Sequence, residues 1–566
     1  MMSTPKTSLA SIWLLLATLL LVACWLAPGH HYPWVSFQNE SVAAVAALFF
    51  CAAALSVTGV PASWPRIALV IAAVSIVPWI QFAAGQIAFR SDALLSFLYL
   101  AALALCISAG ATLAGQNRPG FLDSVFGALL AAAIASTGLA LSQWLGLDIS
   151  QYIEWMPPGS RAIGNIAQPN HLAALLALGL LGALRFYESA RIGGRVFWLI
   201  ALWLALGMAF TRTRMVWLAA VLFVVAWTWL ASRAPARLSR RALVAWVVAF
   251  AAIVAAIGPL SALLDAGAPE SVSDRLQGGG GRLRIWAAVI NGLMQSPWAG
   301  YGWSQVSRAG LAGSLTHFTG ESMLRQSHSV PLDLLIWNGI PLGLLLIGCV
   351  VAWWVRQTRR CDSAERGVVL AAVSLILLYS LIEFPLESLY FVVPFGLLVG
   401  ALEGWSAAEA PVRAPRAAMA VALAGLAALG FVVAIEYVDV EQASRDGRML
   451  AAGFIGSAVL PKPRLLDEPI EYIRFWRTPA HESMSAEELA WMRKMAGRNP
   501  APPTLLRYAT ATGLNGQADI ASQTLRRLCN MHSATRCDEG RKSWVQLQQN
   551  YQALRPIAYP PTPTPP

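Results

Sequence analysis

The sequence is poor in charged residues. Only 13% of its 566 residues are Asp, Glu, Lys or Arg, whereas 57% are hydrophobic and the mean hydropathy is +0.56. Soluble globular domains carry about 25% charged residues. This composition therefore excludes an ordinary soluble protein and indicates a polytopic membrane protein.

Acidic residues are scarcer than basic ones, 30 against 41, which gives a formal net charge of +11. Such an excess could attract nucleic acid, but no basic-aromatic surface or nucleic-acid motif accompanies it. The arginines instead cluster in short segments between apolar runs, as they do in the cytoplasmic loops of membrane proteins. We therefore expect a lipid bilayer, and no nucleic acid, among the partners of this chain.

Cysteine is also scarce, and its spacing gives no sign of a metal site. None of the seven cysteines has the CxxC or Cys/His spacing of a zinc site. Only Cys529 and Cys537 lie close together in a polar segment. In an oxidising compartment they could form a disulfide, and the sequence leaves this and two free thiols equally open.

Apolar runs long enough to cross a bilayer recur over most of the chain, and we count about 13 candidate spans. They are Leu9–Leu26, Val42–Thr58, Ile67–Phe82, Ala93–Leu113, Phe121–Leu145, Pro169–Phe186, Val196–Thr211, Met215–Ala231, Ala242–Leu264, Pro331–Val355, Val368–Leu381, Leu386–Leu402 and Ala417–Ile435.

The distribution of basic residues predicts the orientation of these spans. Lys6 precedes the first span, and alternate connections are rich in arginine, whereas the opposite connections hold few basic residues. Among the basic residues of the short opposite connections are Arg90, Arg161, Arg212 and Arg214. Because basic loops stay in the cytoplasm, we expect the N-terminus inside and, after an odd number of spans, the C-terminus in the periplasm.

The predicted fold is an all-α, polytopic inner-membrane helical bundle with two large periplasmic segments. Residues 1–436 form the expected membrane domain, with a periplasmic loop over residues 265–329 that has the length of an active-site loop or lid. This loop contains the flexible run QGGGG before Arg282, Arg284 and Trp286. Residues 437–566 form the expected periplasmic helical domain, which ends in a disordered, proline-rich tail.

Helix signals support this C-terminal domain. Ser485 to Glu488 read as a capping box. Residues Pro502–Gly513 and Gln517–Cys529, separated by LNG, predict a hairpin of two short helices. The hairpin resembles one tetratricopeptide-like unit, without a convincing repeat array.

Polar groups gather on the expected periplasmic side. The window RAIGNIAQPNHL contains Arg161, Gln168, Asn170 and His171, and other polar residues lie at neighbouring outer turns. Such residues are costly beside lipid and mark a functional site. The further candidates are Arg212 and Arg214 at a tight turn, His328 at the end of the large loop, Glu383, Tyr390, and His30, His31 and Glu40 in the first outer loop.

Several of these residues have a purely structural alternative. Asn170 and His171 could cap the helix that begins at Pro169, where proline suits the first turn. Glu383 could hold its turn by accepting backbone N–H bonds. Two guanidinium groups at a membrane-level turn, however, can clamp a diphosphate, and we assign this role to Arg214 and, second, to Arg212.

Several motifs together resemble one family. They are R-x-x-GN-x-x-QPNHLA, T-x-x-R at an outer turn, a histidine before a long span, and EFPLExLYFxxPFGLLxG. The early loop HHYPWVSFQNE, the segment VPWIQFAAGQIAFRSDALL and the extension EYVDVEQASRDGR fit as well. The chain is similar over nearly its whole length to the bacterial protein O-oligosaccharyltransferases of the pilin-glycosylation type, within the O-antigen ligase and polymerase superfamily.

This resemblance implies transfer of a preassembled glycan from undecaprenyl diphosphate to Ser or Thr hydroxyls of periplasmic proteins such as pilin, with no metal or other cofactor. In that interpretation His328 is the catalytic base for the acceptor hydroxyl, since imidazole suits this task near neutral pH. The carboxylate of Glu383 is compatible with the positive charge that develops at the anomeric carbon. The residues expected to bind the donor are Arg161, Gln168, Asn170, Arg212, Arg214, Arg284 and Tyr390.

Two alternatives use the same polar groups. An O-antigen ligase or polymerase would apply the same chemistry to a lipid-linked glycan acceptor. A transporter of lipid-linked glycans would need charged residues inside its spans and internal repeats, but the span interiors are nearly uncharged and no internal repeat is evident.

Overall fold

The computed structural model describes residues 8–57, 61–118, 120–147, 151–157, 159–264, 266, 281–320, 324–406 and 412–563. Helices account for most of these residues. The strands Ala62–Trp64 (β1) and Val412–Ala414 (β2) form a short antiparallel pair with Ser63 opposite Arg413. The predicted all-α class is confirmed.

The first half of the chain contains ten helices in the described residues. They are α1 (Leu9–Leu26), α2 (Phe37–Leu55), α3 (Arg66–Val74), α4 (Val77–Ala83), α5 (Arg90–Gly115), α6 (Phe121–Trp144), α7 (Pro169–Glu188), α8 (Gly194–Thr211), α9 (Arg214–Leu230) and α10 (Arg240–Leu263).

Eleven further helices follow in the described part of the second half. They are α11 (Gly281–Gln295), α12 (Val306–Gly313), α13 (Val330–Arg359), α14 (Ala364–Ser380), α15 (Leu389–Gly404), α16 (Arg416–Ala451), α17 (Asp467–Arg477), α18 (Ala486–Arg498), α19 (Pro502–Leu514), α20 (Ala518–Met531) and α21 (Ala534–Asn550).

Serine side chains set the starts of several helices. Ser8, Ser239, Ser363 and Ser533 each accept a hydrogen bond from the backbone N–H three residues later, at the first turns of α1, α10, α14 and α21. These bonds satisfy N–H groups that have no partner inside the helix.

Ten helical segments among the described residues are long and apolar enough to cross a membrane, and one of them, Arg66–Ala83, comprises α3 and α4. They coincide with ten of the predicted spans, so the chain is a multi-pass membrane protein. The other three predicted spans coincide with helices α9, α14 and α15, of 17, 17 and 16 residues. The number of true spans stays a prediction.

Some predicted boundaries are wrong. Helix α2 begins at Phe37 rather than Val42, and therefore contains Glu40, which was expected in a loop. The predicted span Ile67–Phe82 consists of α3 and α4, which are separated at Ser75. Helix α13 is interrupted at Gly339, whose φ of 76° places it outside the helical region.

The segments expected as long loops also contain helices. Helix α16 continues past the expected span end at Ile435 to Ala451. The expected loop 265–329 contains α11 and α12, and most of its QGGGG run lies outside the described residues.

The described structure forms two compact units. The first takes residues 1–75, 98–271 and 352–431, and the second takes residues 76–97, 272–351 and 432–566. The second unit thus combines the C-terminal segment with two earlier segments. The expected membrane and periplasmic domains, 1–436 and 437–566, remain a prediction.

In the first unit, glycine lets membrane helices approach closely. A Cβ atom on Gly110 of α5 would lie 2.2 Å from the Leu397 carbonyl oxygen of α15, and one on Gly400 would lie 2.2 Å from the Ile107 carbonyl oxygen. Larger side chains at these glycines would push the two helices apart. Small residues at helix contacts are typical of membrane bundles, where close packing drives association.

In the second unit, the C-terminal helices follow the sequence prediction closely. The Ser485–Glu488 capping box is present at α18, and α19 and α20 form the expected hairpin. Cys529 and Cys537 form a disulfide, which decides between the two alternatives that the sequence left open.

Buried charges tie the parts of the second unit together. Arg498 donates two hydrogen bonds to the Asp92 carboxylate, at 2.8 and 2.9 Å, and both side chains are largely buried. Burial lowers the pKa of Arg498, but Asp92 and Glu468 outweigh this effect and raise the pKa above its ordinary value. The Asp467 carboxylate in turn accepts bonds from the backbone N–H groups of Arg90 and Ser91.

Candidate active site

Arg161 is the centre of a polar network in the first unit. Its Nε donates to the Thr211 carbonyl oxygen at 2.8 Å, and its Nη2 donates to Asn170 Oδ1 at 2.8 Å and to Thr213 Oγ1 at 2.9 Å. The Thr213 hydroxyl also donates to Asn170 Oδ1 at 3.1 Å. One half-buried guanidinium therefore joins the start of α7 to the junction between α8 and α9.

Glu383 belongs to the same network. It lies between α14 and α15, and its side chain is almost fully buried, with 1% exposure. Asn170 Nδ2 donates to Glu383 Oε1 at 2.6 Å. Asn170 thus accepts from Arg161 through its oxygen and donates to Glu383 through its nitrogen, so that the guanidinium and the carboxylate are coupled through one amide.

Three helix N-termini meet around this network. Asn170 lies in the first turn of α7, and Thr213 is the residue that precedes α9. His171, also in the first turn of α7, shares a 2.9 Å hydrogen bond with the Tyr390 hydroxyl in the first turn of α15. Helix N-termini carry unpaired N–H groups and partial positive charge, which favour the binding of an anion such as phosphate.

The two arginines of the turn differ in their surroundings. Arg212 has a positive φ of 49°, ends helix α8, and donates through Nη1 to the Gly159 carbonyl oxygen at 2.9 Å. Arg214 is the first residue of α9, and its side chain is exposed. The turn therefore presents Arg214 to the surroundings at a helix N-terminus, while Arg212 holds a neighbouring loop.

Gln168 occupies the N-cap position of α7, but its side chain forms no capping bond. Its Oε1 atom is buried and has no hydrogen-bond partner among the described residues. An unpaired buried acceptor costs stability, so a ligand hydroxyl that donated to this oxygen would compensate it.

Two further amides, those of Gln143 and Asn165, hold the polar window in shape. Gln143 Oε1 accepts from the Ile163 and Gly164 N–H groups, and its Nε2 donates to the Glu154 carbonyl oxygen at 2.8 Å. Asn165 Nδ2 donates to the carbonyl oxygens of Leu26 and Tyr152. The asparagine of the GN motif is therefore a scaffold residue, and Gln143 carries no sequence signal that predicts its role.

Glu40 was expected in a loop, and its placement in the structure is different. Its Oε2 accepts from the Leu389 N–H at 2.7 Å, at the start of α15, and its side chain is buried with 4% exposure. A carboxylate at a helix N-terminus satisfies an unpaired N–H and stabilises the helix dipole. Glu40 thereby fixes the helix turn that carries Tyr390.

His328 and Arg284 belong to the second unit. His328 is half-buried and has a φ of 58°, in the left-handed region that non-glycine residues rarely adopt. The residues beside it fix this turn: Asp333 Oδ1 accepts from the Ser327 N–H at 3.0 Å, and Trp286 Nε1 donates to the Ser327 carbonyl oxygen at 2.9 Å. Strained conformations held by their surroundings occur preferentially at functional sites.

Arg284 contacts the segment that follows α12. Its Nε donates to the Thr319 carbonyl oxygen at 3.2 Å, and its guanidinium lies 6.0 Å from the centre of the Phe318 ring. Thr319 itself bonds through its N–H to the Asn530 carbonyl oxygen at 2.8 Å. These contacts connect Arg284 with the C-terminal helices.

The structure therefore brings most of the sequence candidates together in one place. Arg161, Asn170 and Glu383 form one network in the first unit, and Tyr390 bonds to His171, the residue that follows Asn170. His328 and Arg284 are placed in the second unit. The fold and this network define a multi-pass, α-helical membrane protein with an arginine-rich polar site where several helices begin.

Comparisons with known proteins show which families the chain is similar to. A family profile described as O-antigen ligase matches residues 199–347, and a profile described as the C-terminal part of a virulence factor membrane-bound polymerase matches residues 368–551. Both matches support a similarity to the O-antigen ligase superfamily.

Two relatives from Acinetobacter baylyi refine this assignment. The chain is 28% identical to a general O-oligosaccharyltransferase over 533 residues, which is 92% of both chains. It is 22% identical to a ComP-specific O-oligosaccharyltransferase over 323 residues, which is 57% of this chain and 58% of that relative. The resemblance predicted from the QPNH and EFPL motifs is thus confirmed.

Proposed function

We propose that this chain is a glycosyltransferase that moves a preassembled oligosaccharide from undecaprenyl diphosphate to Ser or Thr hydroxyls of periplasmic proteins such as pilin. The observation that carries the proposal is the network of Arg161, Asn170 and Glu383 at the meeting point of three helix N-termini. Similarity to the general O-oligosaccharyltransferase over 92% of both chains supports a protein acceptor.

The diphosphate of the donor binds at the start of α9 in this proposal. Arg214 contributes an exposed guanidinium beside the N–H groups of a helix N-terminus, and both favour a phosphate group. Arg161 donates to protein groups and contributes positive charge from one side, while Gln168 Oε1 accepts from a sugar hydroxyl. The positive charge of the site stabilises the diphosphate as it leaves.

His328 acts as the base for the acceptor. The acceptor hydroxyl attacks the anomeric carbon, its proton moves to the His328 imidazole, and the bond from the anomeric carbon to the diphosphate oxygen breaks. Glu383 supplies negative charge for the oxocarbenium-like carbon of the transition state. The turn that holds His328 in a left-handed conformation restricts where its imidazole can lie.

The site lies on the periplasmic side of the bacterial inner membrane in this proposal. The arginine bias of the alternate connections supports this orientation. The disulfide between Cys529 and Cys537 supports it as well, because disulfides persist in the periplasm and are rare in the cytoplasm.

Mass spectrometry of periplasmic proteins from matched strains with and without the chain tests this proposal. We expect glycans on Ser/Thr peptides that disappear in the strain without the chain. Loss of lipopolysaccharide O-chains with unchanged glycopeptides would overturn the protein acceptor and select the O-antigen ligase.

A further inference from the structure

Three arginines in the second unit lie close together without an acidic partner. They are Arg308 on α12, Arg493 on α18 and Arg527 on α20. Helix α12 packs against both α18 and α20. The Cγ atom of Arg308 lies near Gly497, one helical turn after Arg493.

The charges of this arginine cluster act on one another. Burial lowers the pKa of Arg308 and of Arg527 below the ordinary guanidinium value, and the positive charge of Arg493 lowers both further. Tyr301 and Tyr508 also lie within electrostatic range of the cluster. Partly buried like charges are unfavourable unless an opposite charge accompanies them.

The fold does not supply that opposite charge. Within the described residues, no carboxylate forms an ion pair with Arg308, Arg493 or Arg527. Arg308 donates to the Gln86 carbonyl oxygen, and Arg527 Nε is buried without a partner in the part of the chain that the structure describes.

The ordered ion pair of the same unit makes a useful contrast. Arg498, on the same helix as Arg493, has its charge matched by Asp92 through two hydrogen bonds. A structural arginine of this unit is thus paired with a carboxylate, whereas the arginine cluster is not. The missing partner is best supplied by a ligand.

We propose that the arginine cluster of Arg308, Arg493 and Arg527 is a binding site for acidic side chains of the acceptor polypeptide. Guanidinium groups bind carboxylates in a bidentate geometry, and arginine clusters recognise acidic peptide motifs. Helices α18 and α20 are not among the candidate membrane spans, which favours a partner that arrives from water over the membrane-anchored donor. This inference rests on the proposed function.

Binding of two fluorescent peptides to the full-length protein in detergent tests the site without any glycan transfer. Both peptides contain one serine, flanked by four aspartates in the first and four asparagines in the second. We expect the aspartate peptide to bind more tightly, with an affinity that falls as salt is added. Equal affinity of the two peptides would overturn the proposal.

Charge reversal locates the binding. Arg493 is exposed, so Arg493→Glu leaves the packing of α18 intact, and Arg493→Gln provides a milder variant. Arg526→Glu is the matched control, since Arg526 is an exposed arginine beside Arg527. We expect Arg493→Glu to weaken the aspartate peptide by about tenfold or more while the asparagine peptide is unaffected. An equal loss in Arg526→Glu would show a general charge effect and contradict the site.

Two further results separate this site from the donor. In the first, inorganic diphosphate is added to the protein with the aspartate peptide bound. If diphosphate binding depends on Arg493 and the peptide is not displaced, the arginine cluster binds phosphate and the peptide binds elsewhere, which would overturn the proposal. If periplasmic proteins carry no glycan from this chain, the proposed function fails, whereas the peptide measurement still decides whether the cluster binds acidic polypeptide.

Discussion

Replacement of Asn170 by alanine probes the coupling between Arg161 and Glu383 directly. The variant removes the 2.6 Å bond to the Glu383 carboxylate and the two bonds that Asn170 Oδ1 accepts. A hydrogen bond to a charged group contributes about 1.5–3 kcal/mol. Where Glu383 acts in the transition state, this corresponds to a loss of roughly 10- to 150-fold in the transfer rate.

The assay is glycan transfer to an acceptor protein by the purified chain, with kcat and KM for the donor measured separately. Thr213→Val is a matched variant that removes one neutral hydroxyl from the same network. We expect it to cost less activity than Asn170→Ala, because it leaves the bond from Asn170 to the Glu383 carboxylate in place.

A double-mutant cycle with Glu383→Gln shows whether the loss passes through the carboxylate. In the Glu383→Gln background, Asn170→Ala should cost little further activity, because the charged acceptor is already gone. If the two losses simply add, Asn170 acts independently of Glu383 and the coupling described above is wrong.

Three other variants report on separate parts of the molecule. Arg498→Met leaves the Asp92 carboxylate buried without its guanidinium partner and should lower the stability of the second unit in thermal unfolding by about 3–5 kcal/mol. The double variant with Asp92→Leu should recover part of the lost stability. If it recovers none, the broken ion pair does not cause the loss. Replacement of both Cys529 and Cys537 by serine should lower the free energy of unfolding by about 2.5 kcal/mol, because the unfolded chain regains the entropy that the disulfide removes over a sequence separation of 8. An unchanged unfolding temperature would contradict this. Arg214→Ala should raise the KM for the donor by about tenfold. Arg214→Lys should raise this KM less, because lysine keeps the positive charge but lacks the guanidinium geometry. An unaltered KM would show that Arg214 is not part of the donor site.

Much of the fold could be predicted from the sequence, because its strongest signals are local. Apolar runs of membrane length gave the positions of the helices, and the Ser485–Glu488 pattern gave a helix start. Boundaries were less certain where a polar residue enters a helix. Glu40 interrupts the apolar pattern, yet it lies inside α2 because the N–H of Leu389 satisfies its carboxylate.

The partners of the site residues could not be predicted in the same way. Asn170 and Glu383 are 213 residues apart in sequence, and Asp92 and Arg498 are 406 apart. Both pairs depend on how distant helices pack, which no periodicity or local motif encodes. The polar window did indicate a region where side chains bond to one another, since a group of hydrogen-bonding residues in an apolar chain is costly unless they bond to one another or to a ligand.

The same limit applies to the individual residues of the window. Asn165 and Asn170 are both asparagines of one short motif, but the first holds backbone carbonyls and the second couples a guanidinium to a carboxylate. Residue type and spacing are alike in the two cases. Only the three-dimensional contacts separate the scaffold residue from the candidate site residue.

The most direct test of the proposed function is transfer by the purified full-length chain in proteoliposomes with an undecaprenyl-diphosphate-linked oligosaccharide. The acceptors are a pilin-like protein and lipid A core, offered together, and mass spectrometry reads which one gains the glycan. We expect the glycan on Ser or Thr of the protein with the wild-type chain, and none with His328→Ala, although that variant still inserts into the membrane. A glycan found on lipid A core alone would contradict the protein acceptor, and undiminished protein glycosylation by His328→Ala would exclude His328 as the base.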